Sequence, residues 1–435
     1  MNYKKKKMII EGKTKKIFAT NDPGVVIAEN KDTITAFNNP KFTKQFGSKA
    51  VCATITTCRV FEIIEAAGVP TAYVRQLSET EIAMQKCQMI PLEIIARREA
   101  VGSFLKRNQQ FERPDGQPPY RFHNLKIEFF LKTSYGIAVD FKGNKLFSGL
   151  TTEQDDPFII DHHSSSWELR HPGKLIYSDE SSLSRQINPE VIIESQYISK
   201  IEETTRMIFL LLEAAWAQQG FKLIDFKIEF GINANGTLVV ADVIDNDSWR
   251  LKDEDGVELS KEAYRQGEQL SKVERKYALV TEKVKNFRIP KQCLVVWTGS
   301  VDDPALPVED WEGFVAIEKI VCSGHKKTAT ALDNLEKLMA KYPEGGVIIA
   351  EVGLSNGLGP ILSTHTNWPI ISVPITAGSF PDDVFSSLRL PSEVPMATIL
   401  SPKNAVSYAM NILAQKNPEI YMKQRYMIEA RGENY

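Results

Sequence analysis

Apolar and polar positions follow one rhythm in the first half of this chain and another in the second. MIIEGKTKKIFA reads as two short strands around a glycine turn, and NDPG makes a second turn before VVIAEN. Over 48–67 the spacing is helical: Val51, Ile55, Cys58, Phe61 and Ile64 share a face, and Gly68 with Pro70 ends the run. MIPLEIIA and IEFFLK read as strands, 133–175 as loop-rich, and 189–220 as a long amphipathic helix carrying Ile193, Tyr197, Ile201, Thr204, Ile208, Leu211 and Ala215. FKLIDFKIEFG and GTLVVADVID predict two further strands. The charged segment after them predicts one long helix with a stripe of Tyr264, Leu270, Val273, Tyr277, Val280 and Val284, ending before Pro290. Beyond it strand and helix alternate: CLVVWTG, a helix, GFVAIEKIVC, a helix over 329–341, GGVIIAEVG, PIISVPIT and ATIL. That alternation predicts a doubly wound parallel α/β domain. The expected division is a first domain over 1–260, a charged helical linker over 261–291 and a second domain over 292–435.

Composition narrows the class. A chain of 435 residues exceeds one ordinary core, and 43% apolar with 25% charged residues is a globular balance. A net charge of −2 argues against broad nucleic-acid binding. Five cysteines without a CxxC pair fit a reducing compartment. No apolar run approaches the ~18 residues of a membrane span. The lysine run 4–7 precedes no long apolar segment, so it reads as a solvated tail rather than a signal peptide. The expectation is a cytoplasmic protein without membrane or nucleic-acid partners.

Candidate chemistry clusters in a few places. Gly12-Lys13-Thr14 is not a Walker loop, because the glycine required five positions earlier is Lys7. Lys13 and Lys15 still share a strand face suited to nucleotide phosphates. Arg97, Arg98, Gly102, Ser103, Lys106 and Arg107 follow a strand within eleven residues, a good anion site. Lys227 and Glu229 share one strand face, and Asp242 leads into Asp245, Asp247 and Arg250. Carboxylates on adjacent strands need a cation, and Mg²⁺ shared with phosphates satisfies Glu229 and Asp242. His162 and His163, adjacent on a strand, point to opposite faces, so a shared metal is not expected there. The stretch 292–307 is a strand breaking at Gly299-Ser300, with a helix expected to carry Asp302 or Asp303 in its first turn. That is phosphate-binding geometry with two acids in it.

EGKTKKIF, IPLEIIARREAVGSFLKRN, LIDFKIEFG and VVADVIDNDSWRL together resemble the motifs of SAICAR synthetase, the ATP-dependent ligase of purine biosynthesis that joins L-aspartate to carboxyaminoimidazole ribonucleotide. The resemblance implies an ATP-grasp-related two-lobed α+β domain. Lys13, Lys15 and Lys227 would sit at ATP, with Glu229 and Asp242 at Mg²⁺ and Lys227 also in the chemistry. Arg97, Ser103, Asp247 and Arg250 would hold the ribonucleotide. GSVDD, SGHKK, SNGLGP, SSLRLPS and LSP resemble the AIR carboxylase fused to that synthetase in animals, a doubly wound domain that adds CO₂ to aminoimidazole ribonucleotide without ATP or biotin. It implies His325 as the proton-transfer residue with Lys326 beside it, Ser300 at the phosphate, Ser355 and Gly357 at the base and CO₂, and a homo-octamer built through this domain.

Three departures from the family pattern stand out. About twenty extra residues, 133–154, separate FFLK from the Asp-Pro loop. Asp302 replaces a serine of the GSxSD turn, and Leu354 stands where an arginine is usual. The last two make the phosphate turn more acidic, so reduced carboxylation is expected. The competing reading is a non-catalytic or single-activity paralogue whose second domain is an oligomerisation scaffold.

Overall fold

The computed structural model describes residues 2–35, 43–301, 303 and 305–432. It divides into two units, Met1–Arg288 with Tyr426–Tyr435, and Ile289–Arg425. Asp302 lies outside the described residues.

The first unit holds a small antiparallel sheet ordered Lys5–Glu11, Lys15–Thr20, Val25–Asn30, Glu81–Gln85, Tyr73–Gln76. The lysine run is not a tail. Lys5 opens the edge strand, and its ammonium pairs with Glu29 and Glu81, a charged edge of the kind that discourages strand pairing between molecules. Helix Lys49–Ala66 runs from within a residue of the predicted start to within a residue of the predicted end.

A nine-stranded sheet forms the larger layer. Its central strand, Lys222–Ile232, pairs along one edge with Leu92–Glu99. Its other edge is shared by Trp249–Lys252 and Leu238–Ala241. Helix Ser195–Ala217 buries Ile201, Ile208, Phe209, Leu211, Leu212 and Trp216. It starts later than its periodicity predicts, because Pro189–Val191 forms a separate turn capped by the Asn188 side chain.

The single helix predicted beyond residue 260 is two, Lys261–Arg265 and Leu270–Val284. Gly267, at φ 85°, lies between them, a conformation that ends helices and favours glycine. Tyr264, Val273 and Tyr277 join Ile34, Phe46, Cys52 and Ala263 in one apolar cluster. The segment set apart as a linker thus packs within the first unit.

In the second unit every strand pair is parallel, in the order Ala316–Val321, Cys293–Thr298, Gly346–Val352, Ile370–Pro374, Ala397–Thr398. In chain order this is 2-1-3-4-5, whose switch point lies between the first and third strands. The doubly wound expectation needs one correction. Among the described residues, the crossover from Cys293–Thr298 to Ala316–Val321 contains a 3₁₀ turn, Glu309–Trp311, and no α-helix. Asp303 lies in a bend rather than in the first turn of a helix. The sequence explains this, since Pro307 would fall beyond the first turn of such a helix, where it removes a backbone donor and its ring clashes with the preceding turn. The strand that such a helix would cover is half exposed, and Val321 is 55% exposed.

Candidate active sites

Side-chain alternation on three neighbouring strands builds the first site. Asp225, Lys227 and Glu229 lie on one face of the central strand, with Arg97 opposite Asp225 and Ile95 opposite Lys227. Glu93 and Arg97 share that face on the next strand, and Glu128 shares it on the strand beyond, opposite Ile95. The face therefore carries alternating charges, which group into two networks.

The first network is lysine-rich. Lys227 Nζ donates to Glu93 at 2.8 Å and to Glu229 at 3.1 Å, while Lys132 Nζ donates to Glu229 at 2.6 Å. Lys15, from the smaller sheet, forms an ion pair with Asp242. Asp242 adopts φ 63°, a sparsely populated conformation for a non-glycine residue. Burial disfavours the charge on Glu229, but Lys227, Lys132 and Lys15 outweigh it and hold the carboxyl at about 2. Burial brings Lys15 down to about 8 despite Glu229 and Asp245. Lys13 is exposed in the turn preceding Lys15, its carbonyl accepting from Thr33 Oγ1 at 2.8 Å.

The second network is arginine-rich. Arg97 donates to Glu128 and to Asp225, each at 2.5 Å. Arg107 donates to Glu128 at 2.5 Å, and Arg250 donates to Asp225 at 2.6 Å. Three guanidiniums thus face two buried carboxylates, with Glu262 a longer partner of Arg250 at 3.4 Å. Guanidiniums gathered in a desolvated place favour an anion. Ser103 opens the short helix beside it. Gly102, at φ 59°, brings the backbone so close that a Cβ would lie 2.5 Å from Arg250 Nη2. Arg97, expected at the phosphate itself, is 1% exposed and already spans two carboxylates. It acts on Arg250 through Asp225. Arg98, next on the strand, faces the other way and pairs with Glu213 and Glu429 at 2.8 Å each. Replacing Gly102 by Ala should cost about 1–3 kcal/mol of backbone strain and push Arg250 aside. Denaturant unfolding should show the lower midpoint with an unchanged slope.

Asp247 has a different set of partners from Arg250. Its carboxylate accepts from Tyr277 at 2.6 Å and faces Lys49 and Lys261, each at 3.2 Å. Burial opposes its ionisation, but the two lysines and the Tyr277 hydroxyl hold it well below the usual range. Lys261 and Tyr277 come from the two helices beyond residue 260.

The extra residues 133–154 leave the sheet and return to it, forming a small sheet of Thr133–Ser134, Ile137–Val139 and Lys145–Phe147. Thr133 N–H donates to Asp156 and Thr133 Oγ1 donates to Asp155, at 2.9 and 2.8 Å. The Asp-Pro loop therefore resumes where the FFLK strand ends. Burial and Glu93 raise Asp156 to about 6.

The second unit gathers its loops at the carboxyl ends of its strands. A Cβ on Gly357 would lie 2.1 Å from His325 Nε2, and one on Gly324 would lie 2.7 Å from Leu358 Cα. The SGHKK and SNGLGP loops thus meet backbone to backbone, with His325 against Gly357. Lys326 and Ser355 are exposed beside them. The Ser300 turn is less favourable to an anion. Its backbone N–H donates to Asp303 Oδ2 at 2.8 Å. Leu354 is 69% exposed. Glu351, 2% exposed at the end of its strand, has both carboxylate oxygens without a hydrogen-bond partner among the described residues. Burial, reinforced by Asp303, raises it to about 7.

Sequence reasoning missed Glu93, Glu128, Lys132, Asp225, Lys49, Lys261 and Tyr277. Asp225 was within reach, two residues before Lys227 and so on its face. The others require knowledge of which strands and helices become neighbours.

Comparison with known proteins agrees with this layout. The SAICAR synthetase family matches residues 8–142 and 174–284, and the AIR carboxylase family matches 311–433. The probable multifunctional protein ADE2 of Caenorhabditis elegans is 33% identical over 433 residues, covering 96% of this chain and 92% of that protein. The bifunctional phosphoribosylaminoimidazole carboxylase/phosphoribosylaminoimidazole succinocarboxamide synthetase of Homo sapiens is 32% identical over 441 residues, covering 97% and 93%. A crystal structure of phosphoribosylaminoimidazole-succinocarboxamide synthase from Ehrlichia chaffeensis matches at 28% identity and a TM-score of 0.49, covering 65% of this chain and all of that one. With both domains present in order along nearly the whole length of its relatives, the chain belongs to the bifunctional purine-biosynthesis family that fuses SAICAR synthetase to AIR carboxylase.

Proposed function

We propose that the first unit catalyses the ligase reaction with ATP and Mg²⁺, and that the second retains the carboxylase fold with weakened binding of the ribonucleotide phosphate. The lysine-rich network carries the first part. Glu229 and Asp242 offer ionised oxygens within a ring of ammonium groups, a donor set that suits a hard divalent cation. When bound, Mg²⁺ would neutralise phosphate charge. Lys15, Lys132 and Lys227 already surround that position and would orient the phosphates. Ser103 and Arg250 would take the ribonucleotide phosphate, with Arg97 and Asp225 fixing Arg250. Asp247, locked by Lys49, Lys261 and Tyr277, would support the substrate side. The carboxylate of carboxyaminoimidazole ribonucleotide is then phosphorylated by ATP, and the amine of L-aspartate displaces phosphate. Lys15 gives a pH test. Since its ammonium is held to about 8, kcat/KM for ATP should fall as pH rises through that value. A flat profile from about pH 7 to 9 would remove Lys15 from the phosphate site.

For the second unit, the family match starts at residue 311, beyond the Ser300 turn. His325 and Gly357 keep the close packing that proton transfer needs. The turn nevertheless carries Asp302 where the family pattern has serine and Leu354 where it has a cation; the N–H of Ser300 is taken by Asp303, the buried acid Glu351 ends the neighbouring strand, and the crossover has no α-helix among the described residues. Each change of charge near a partly desolvated phosphate costs about 1–3 kcal/mol, or roughly one to four decades for two of them. His325, Lys326, Ser300, Ser355 and Gly357 remain the residues of a slow carboxylase, using CO₂ without biotin.

Assembly as a cytoplasmic homo-octamer through this domain belongs to the same reading. Among the described residues no helix is long and apolar enough to cross a membrane.

A further inference from the structure

The adjacent histidines do not lie on a strand. They occupy a turn before strand Trp167–Arg170, and both rings converge on one carboxylate of helix Ser195–Ala217. His162 Nε2 lies 3.0 Å and His163 Nε2 2.8 Å from the same oxygen, Glu202 Oε2. The three groups can present ligand atoms all within 4.8 Å of one another. We propose that His162, His163 and Glu202 form a binding site for a divalent transition ion of the zinc class, which ties this turn to the helix.

Three features support the assignment. First, the spacing fits. Ligand atoms around tetrahedral zinc at about 2.0–2.1 Å stand roughly 3.3 Å apart, so the two nitrogens need retreat from the oxygen by only a few tenths of an ångström.

Second, the ligands are held in place from outside. The His162 ring stacks on Phe129 at 4.0 Å, and its carbonyl accepts from the Trp167 indole at 3.0 Å. The His163 N–H donates to Asp161 at 3.1 Å. Arg206 donates to Glu202 Oε1 at 2.8 Å, which orients the carboxylate and leaves Oε2 facing the rings. Burial opposes ionisation of Glu202, but hydrogen bonds from His162, Arg206 and His163 outweigh it and hold the group well below the usual carboxylate range. The charge of Arg206 works against a cation, yet it is directed at the other oxygen. His163 has a side chain 52% exposed, which leaves room for water to complete the coordination.

Third, the SAICAR synthetase match stops at 142 and resumes at 174, so both histidines belong to a segment outside the family pattern. Imidazole with one carboxylate selects zinc, nickel or copper over magnesium. The site is therefore chemically separate from Glu229 and Asp242.

The test is calorimetric titration of chelator-treated full-length protein with Zn²⁺, with Mg²⁺ as the control. Co²⁺ absorption reports the ligand geometry. One Zn²⁺ per chain is expected, with a rise in Tm and a tetrahedral Co²⁺ band. His163→Ala, at an exposed position, and Glu202→Gln, which keeps the side-chain shape, should each weaken Zn²⁺ binding at least about 100-fold, the upper end of what outer-shell changes alone cost. Circular dichroism would show that the variants are folded. Zn²⁺ binding that is absent in the parent, or unchanged in either folded variant, overturns the proposal. Four of the five cysteines are buried, which limits thiolate binding as a competing source of signal.

Discussion

Glu229→Gln should lower kcat for SAICAR synthesis by about 10²–10³ while the protein stays folded, since losing one preorganised electrostatic contact to a developing charge costs that much. Glu229 is 4% exposed, with Lys227 and Lys132 on its two oxygens. The amide removes a metal-competent oxygen and leaves the ammonium groups with one fewer counter-charge. Folding should survive. Lys227 keeps Glu93 at 2.8 Å, and the Lys132 side chain, 38% exposed, can turn to water. Rate measurements at saturating ATP over a range of Mg²⁺ concentrations check this. A variant with kcat within about threefold of the parent would place the metal elsewhere.

Asp225→Asn should act chiefly on stability. One oxygen, Asp225 Oδ2, receives both Arg97 and Arg250, at 2.5 and 2.6 Å. Removing one partner from a buried ion network costs about 3–5 kcal/mol, because the remaining charges lose compensation without regaining water. Here it leaves Arg97 and Arg107 with Glu128 alone, and Arg250 with the partly exposed Glu262 at 3.4 Å. Denaturant unfolding of the first unit should show a lower midpoint with an unchanged slope. Binding of the ribonucleotide should also weaken, since Asp225 fixes Arg250. Unaltered stability would mean that the network tolerates its excess positive charge.

How much of this was legible in the sequence depended on how local each feature is. The strand face carrying Lys227 and Glu229 follows from two-residue alternation alone. Helix Lys49–Ala66 follows from its apolar spacing and the Gly68 stop. The pairing of Arg97 with Asp225 is a contact across strands distant in the chain, so no local pattern records it. The break at Gly267 was readable in principle: a glycine within a charged helix lowers its stability, and burial of Tyr264 and Val273 in one cluster outweighs continuity. The histidine pair departs from its reading because the chain turns there, and in a turn adjacent side chains can converge where on a strand they would diverge. Among the described residues the first crossover has no α-helix, and this has a local cause. Strand–helix alternation calls for an element that Pro307, beyond its first turn, does not support.

The two units should differ sharply in activity, and separate assays of the two reactions on one purified preparation measure that difference. Carboxyaminoimidazole ribonucleotide, L-aspartate and Mg-ATP should give SAICAR at an ordinary enzyme turnover, on the order of 10 s⁻¹. Aminoimidazole ribonucleotide with bicarbonate should be carboxylated with a kcat/KM roughly one to four decades below the ordinary range of about 10⁴–10⁸ M⁻¹s⁻¹. Leu354→Arg should recover part of that loss. Carboxylation by the parent at an ordinary rate, or no SAICAR formed from the intermediate, would show that the two units do not differ in this way.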